Sequence, residues 1–154
     1  MDWTMQLWLL YEVALAMLLG AFIGVEREMA DRPAGFRTHM LVSGAAALLV
    51  GLRDVMIHTS RDDSINVVSD PIRIVEAIVT GVSFIGAGTI FRRSRSEQVQ
   101  GLTTAATILM SSSVGICVAL GQKVLAVGVT LLALIILRGL TPIEKRLANS
   151  KKAP

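Results

Sequence analysis

Residues 7–25 read LWLLYEVALAMLLGAFIGV, and Glu12 is the one charged residue among them. As a helix rising about 1.5 Å per residue, a run of this length crosses about 30 Å of hydrocarbon. It lacks the polar stripe that a water-facing helix of this length would carry. Trp3 and Trp8 stand at its start, where the aromatic belt of a membrane protein sits. Met1-Asp2-Trp3 lacks the positively charged start of a cleaved signal peptide. The run is therefore expected to remain as a membrane anchor.

Working outward, four more apolar runs follow: 38–52 (extendable to Ile57), 74–91, 102–120 and 124–137. The first two runs are parted by Asp31-Arg32-Pro33-Ala34-Gly35, which cannot continue a helix. A polar loop from His58 to Arg73 precedes the third, and Asp70-Pro71 reads as an N-cap with proline at the first helical position. Gly121-Gln122-Lys123 is a tight turn into the fifth run, the most uniformly aliphatic and the one expected to face lipid. The second run is short for a span, which asks Arg53 and Asp54 to snorkel or neighbouring helices to shelter it. These runs predict an all-α, polytopic transmembrane bundle of about five helices over residues 1–140, with a short basic tail at 141–154.

Composition agrees. The 154 residues are 53% hydrophobic, with a mean hydropathy of +0.61, too apolar for an ordinary soluble domain. Net charge is +3, but the basic residues lie between the runs rather than in a patch, so no nucleic-acid partner is expected. Eleven of the fifteen Lys and Arg residues fall on one side of the predicted membrane: Arg27, Arg32, Arg37, Arg92, Arg93, Arg95, Arg138, Lys145, Arg146, Lys151 and Lys152. Arg53, Arg61, Arg73 and Lys123 fall on the other. The positive-inside rule then places the N-terminus outside and the C-terminus in the cytosol of a bacterial inner membrane. The single cysteine, Cys117, allows no internal disulfide and reads as a small buried hydrophobe.

Lipid gives no hydrophobic drive between helices, so small residues must let backbones meet. Gly20 and Gly24 form such a face on the first helix; Ser43, Ala47 and Gly51 on the second; Ser83 and Ala87 on the third; Ser111 and Gly115 on the fourth. Helices one to four are expected to pack as a bundle with the fifth outside. The stretch Gly81 to Gly88, with Gly86 between, admits two accounts: a broken helix lining an ion site, or a helix pressed tightly on two neighbours. Tight pressing is preferred, because membrane helices tolerate glycine well.

Five strings in order and spacing point further: LLGAFIGVERE (18–28), RPAGFRTH (32–39), DPIRI (70–74), GVSFIGAGTIFRR (81–93) and GLTTAAT (101–107). Together they resemble the membrane domain of the MgtC/SapB family. The resemblance implies a regulator linked to magnesium limitation and to bacterial virulence. It also implies a soluble ACT-like C-terminal domain in many members, which this chain is not expected to carry. Leu109 and Ala77 stand where the family commonly has tryptophan and glutamine.

The candidate site is the cytosolic face. The resemblance carries Glu26, Arg27, Pro33, Gly35, Arg37, Thr38 and His39; Glu28, Arg32, Arg92 and Arg93 share that face on the predicted topology. They are read either as a salt-bridged hairpin or as a docking surface for a membrane or cytosolic protein. Thr103 and Thr104 of the GLTTAAT string are taken as packing positions. Glu12 and Glu76 lie at membrane depth and, with Asp70, form a candidate outward-facing metal site, since magnesium is usually held by one or two carboxylates. No cofactor and no enzymatic activity are expected, because no nucleophile–base constellation is visible and neither histidine is expected to match the depth of Ser111 to Ser113. Partners are expected to be the lipid bilayer, another membrane protein and, in an oligomer, a second copy. The competing function is an ion transporter or channel subunit, which in so small a chain would require an oligomer.

Overall fold

The computed structural model describes residues 3–59, 71–92 and 99–139. Among them are five helices: α1 (Trp3–Met29), α2 (Phe36–Thr59), α3 (Pro71–Gly88), α4 (Leu102–Ala119) and α5 (Lys123–Gly139). Between α3 and α4, β1 (Phe91–Arg92) and β2 (Val99–Gln100) form a two-residue antiparallel pair, Phe91 opposite Gln100 and Arg92 opposite Val99. α1 and α4 are each long and apolar enough to cross a membrane.

The helices are bounded by backbone chemistry more than by apolar content. α1 continues through Glu26-Arg27-Glu28, where the apolar run had stopped. It ends at Asp31, whose left-handed φ of 53° allows a double closure. Arg32 N–H donates to the Arg27 carbonyl at 3.1 Å and Asp31 N–H to the Glu28 carbonyl at 3.0 Å, a Schellman motif. α4 ends the same way at Gly121 (φ 74°), with Gln122 N–H on the Cys117 carbonyl and Gly121 N–H on that of Val118. α2 is 24 residues long, about 36 Å at 1.5 Å per residue, so the shortness of its apolar run is not a shortness of helix. Pro71 opens α3, as its position predicted; Asp70 lies outside the described residues.

The third run was expected to stay helical to Phe91, but α3 stops at Gly88. Thr89 folds back on Gly86, donating to its carbonyl from both N (3.0 Å) and Oγ1 (2.7 Å), and Ile90 N–H reaches the Ala87 carbonyl. The chain then enters the β pair. It leaves through Gly101, whose φ of 93° suits glycine and whose missing side chain makes room for the Thr89 carbonyl.

α1, α2 and α4 form the centre. Gly20 and Gly24 press on α2: a Cβ added at Gly20 would lie 2.5 Å from the His39 carbonyl oxygen, and one at Gly24 would lie 2.7 Å from Phe36 Cα. Gly115 brings α4 against the Ser43 carbonyl, while Ser43 Oγ donates to the Ala16 carbonyl at 2.8 Å. One serine thus joins three helices.

The expectation that α5 alone lies outside is corrected. α3 and α5 both flank the centre, α3 against α4 and weakly α2, α5 against α4 and α1. α5 has an inward seam of its own, Ala126, Thr130 and Ala133, which the pair-counting overlooked. Its aliphatic residues Val124, Leu131, Leu132, Ile135 and Ile136 are exposed, as predicted. The tight account of the α3 glycines is not met: a Cβ at Gly86 would make ordinary contact with Ala105 alone, nothing lies within 4 Å of a Cβ at Gly81 or Gly88, and Ser83 and Ala87 are exposed. α3 is also unbroken across Gly81 and Gly86.

The bundle is polar within and apolar without. Glu12, Glu26, Arg27, His39, Ser43, Thr104, Thr107, Ser111, Ser112 and Thr130 are buried, while Leu18, Phe22, Leu41, Phe84 and Leu132 are exposed. Among the described residues, seven of the fifteen buried apolar ones are alanines, so close backbone approach shares the interior with the branched side chains of Ile23, Ile108, Val114 and Val118.

Candidate functional site

The α1–α2 turn is built from its motif residues. Glu28, on the last turn of α1, accepts the N–H of Phe36 at 2.9 Å and so satisfies a donor that begins α2. A Cβ at Gly35 would displace the Glu28 carboxylate from its place beside Phe36. The Gly35 carbonyl accepts twice, from His39 N–H at 3.2 Å and from His39 Nδ1 at 2.8 Å. Since a carbonyl can only accept, Nδ1 carries the proton and Nε2 of a neutral ring presents its lone pair.

His39 is 0% exposed, and its Nε2 has no hydrogen-bond partner. Glu26 and Arg27 are buried beside one another, Arg27 Nη1 lying 3.8 Å from Glu26 Oε2. Glu26 Oε2 and Arg27 Nε also lack hydrogen-bond partners. The hydroxyls of Ser111 and Ser112 are buried and unpartnered too. His39 precedes Ser43 by one turn of α2, and Ser111 precedes Gly115 by one turn of α4. The Ser43–Gly115 contact therefore sets His39 and Ser111 at one level, against the sequence expectation for their depths. With both atoms unpartnered, they are not bonded to each other.

The other predicted residues divide. Arg32, Pro33 and Arg37 are exposed and Thr38 is half-buried. Thr104 is buried and Thr103 exposed. Arg92 lies in β1, and Arg93 falls outside the described residues. Of the candidate metal ligands, Glu12 is buried in α1, Glu76 is exposed on α3, and Asp70 falls outside the described residues. Among the described residues no three His, Cys, Asp or Glu side chains gather as a metal-binding group. Cys117 is half-buried against the core.

A cavity of about 450 Å³ opens where α1 ends and α4 begins, with Arg27, Asp31, Arg32, Gly101, Thr103 and Thr104 in its lining. At the far end of the bundle, Lys123 Nζ sits 4.7 Å from the Trp8 ring centre and 5.0 Å from that of Tyr11. Sequence reasoning missed this pair, whose partners are far apart in the chain.

The residues that build this turn are those of the strings at 18–28 and 32–39, and the MgtC family profile matches residues 13–146. The chain belongs to the MgtC family. Protein SrpB of Synechococcus elongatus is 37% identical over 94% of this chain and 79% of its own length. Protein MgtC of Salmonella typhimurium is 41% identical over 77% of this chain, and "Putative magnesium transporter YhiD" of Escherichia coli is 36% identical over 88%. This MgtC-family chain spans 46% of the length of that Salmonella protein and 61% of YhiD. No solved structure matches.

Proposed function

We propose that this MgtC-family chain is a multi-pass protein of a bacterial inner membrane, N-terminus outside and C-terminus cytosolic, that regulates partner proteins in or at that membrane. The observation behind this is a division of labour at the α1–α2 turn. Glu28, Gly35 and His39 are occupied in building it, while Arg32, Arg37, Met29 and Phe36 are left exposed around it. A turn held rigidly by its own hydrogen bonds, displaying guanidiniums beside apolar side chains, suits contact with another protein. The aliphatic outer surface supports the membrane setting, since so much exposed apolar area is unusual in water. The link to magnesium limitation and virulence enters with the family, and no catalytic role is part of the proposal.

Photo-crosslinking in living cells tests it. A crosslinker at Arg37 should capture one defined protein, lost when Arg32 is changed to Glu, while one at Leu131 should not. Capture of nothing at Arg37 beyond a second copy would refute partner regulation.

A second reading is cation transport. It is favoured by the unpartnered polar atoms of His39, Ser111 and Ser112 in the bundle centre and by the name of the YhiD relative. Magnesium flux into reconstituted vesicles, lost on Glu76→Gln, would support it; folded protein without flux would remove it.

A further inference from the structure

An apolar groove of about 770 Å³ runs along the side of the bundle between α2 and α3. Apart from Arg53 and Arg73, its lining is entirely aliphatic residues and glycine. Ala46 and Ile78 form its buried floor, and the exposed Leu41, Leu49 and Ile85 edge its mouth. Gly81 lies in its wall, and nothing stands within 4 Å of where a Cβ would be, so the missing side chain keeps the groove open. Along α2 the lining extends from Leu41 to Arg53 and along α3 from Arg73 to Ile85, about 18 Å of each helix at 1.5 Å per residue.

The charge of the groove is confined to one end. Gly51 meets Leu9, near the start of α1, while Gly86 faces Ala105, near the start of α4 and beside the end of α1. The end of α2 and the start of α3 therefore share one end of the bundle, and Arg53 and Arg73 stand there together. Among the described residues no carboxylate lines the groove; Glu76, one turn along α3 from Arg73, is not part of the lining. One leaflet is half of a hydrocarbon core of about 30 Å, close to the length of the groove. An apolar slot one leaflet long, with guanidiniums at one end and nothing charged along its length, has the polarity of a phospholipid, acyl chain in the slot and phosphate at the guanidiniums. Two guanidiniums without a lining carboxylate favour a lipid of net negative charge over a zwitterion, whose own cation they would repel.

We propose that one anionic phospholipid occupies this groove, an acyl chain seated between α2 and α3 and its phosphate held by Arg53 and Arg73. On the topology proposed above, it belongs to the outer leaflet. The proposal rests on the membrane setting given above, and neither on partner regulation nor on transport.

The test uses the full chain reconstituted in phosphatidylcholine vesicles. It carries one reporter tryptophan in a Trp3→Phe, Trp8→Phe background, either Leu49→Trp at the groove mouth or Leu132→Trp on the exposed face of α5. Quenching by brominated phosphatidylglycerol against brominated phosphatidylcholine gives the relative affinity at each place. At Leu49 phosphatidylglycerol should be preferred about tenfold, the gain of one charge-assisted contact, and at Leu132 not at all. Arg73→Gln, at an exposed position, should abolish most of that preference. Gly81→Leu, whose side chain has room, should cut quenching at Leu49 by both lipids. Equal affinity at the two reporters, or a preference that Arg73→Gln leaves unchanged, would overturn the proposal and leave the membrane setting standing. So would a Leu49 reporter that neither lipid quenches while the Leu132 reporter is quenched, the sign of a groove filled by residues 60–70 or by a second copy. Quenching at neither position would remove the membrane setting and the proposal with it.

Discussion

The Glu28 carboxylate and the Phe36 amide, 2.9 Å apart, close the turn between α1 and α2 from the side chain of one helix to the first residue of the next. Removing the acceptor by Glu28→Ala should cost about 1 kcal/mol, as loss of a helix cap does. Glu28→Gln keeps an acceptor oxygen and should cost less. Thermal unfolding in detergent, followed by circular dichroism, checks the order Glu, Gln, Ala.

Gly20 and Gly81 look alike in sequence and should behave oppositely. At Gly20 an added Cβ would meet the His39 carbonyl oxygen at 2.5 Å and Ser43 Cβ at 2.8 Å, and backbone cannot yield as a flexible side chain does. Gly20→Ala should destabilise by about 1–3 kcal/mol. At Gly81 the space is open, so Gly81→Ala should leave the melting temperature unchanged or raise it. Equal losses at the two sites would contradict the packing described.

Ser43 Oγ bonds the Ala16 carbonyl between α1 and α2, wholly buried. Hydrogen bonds between membrane helices contribute modestly, so Ser43→Ala should cost about 0.5–2 kcal/mol. Ser43→Leu should cost far more, because the same position faces both Gly20 and Gly115. Comparing the two melts separates the bond from the space.

Lys123 lies over the rings of Trp8 and Tyr11, pinning the start of α5 to the start of α1. In a Trp3→Phe background, Lys123→Met should alter Trp8 emission and cost about 0.5–1 kcal/mol. Unchanged emission would show that the cation does not hold this end together.

Much of the fold could be read from the chain, since five apolar runs with polar breaks foretell five helices. Their ends were less legible. Apolar content said nothing of Glu26-Arg27-Glu28, which are helical because the stop signal is a left-handed backbone at Asp31. Nor did it reveal that Phe91 leaves the helix, which follows from the Thr89 fold-back and from Gly101. Of the site, the RPAGFRTH string was visible, but not which residues build the turn and which are displayed. That depends on contacts such as Glu28 with Phe36, eight residues apart. The α3 glycines misled because composition cannot tell a glycine that admits a neighbour from one that has none.

The closures at Asp31 and Gly121 share a consequence. At each, the carbonyls of the last helical turn find partners within the chain: Glu26, Arg27 and Glu28 at one bend, Ile116, Cys117 and Val118 at the other. Each bend therefore asks less of water than an open helix end would, and its backbone fixes only weakly how deep it sits. The vertical placement of the bundle then falls to the charged side chains beside the bends, Arg32 and Arg37 at one and Lys123 at the other. In a membrane Arg32 and Arg37 would act as floats, and trimming them would shift the molecule along the membrane normal with little loss of helix contact, whereas Lys123 also holds α5 to α1.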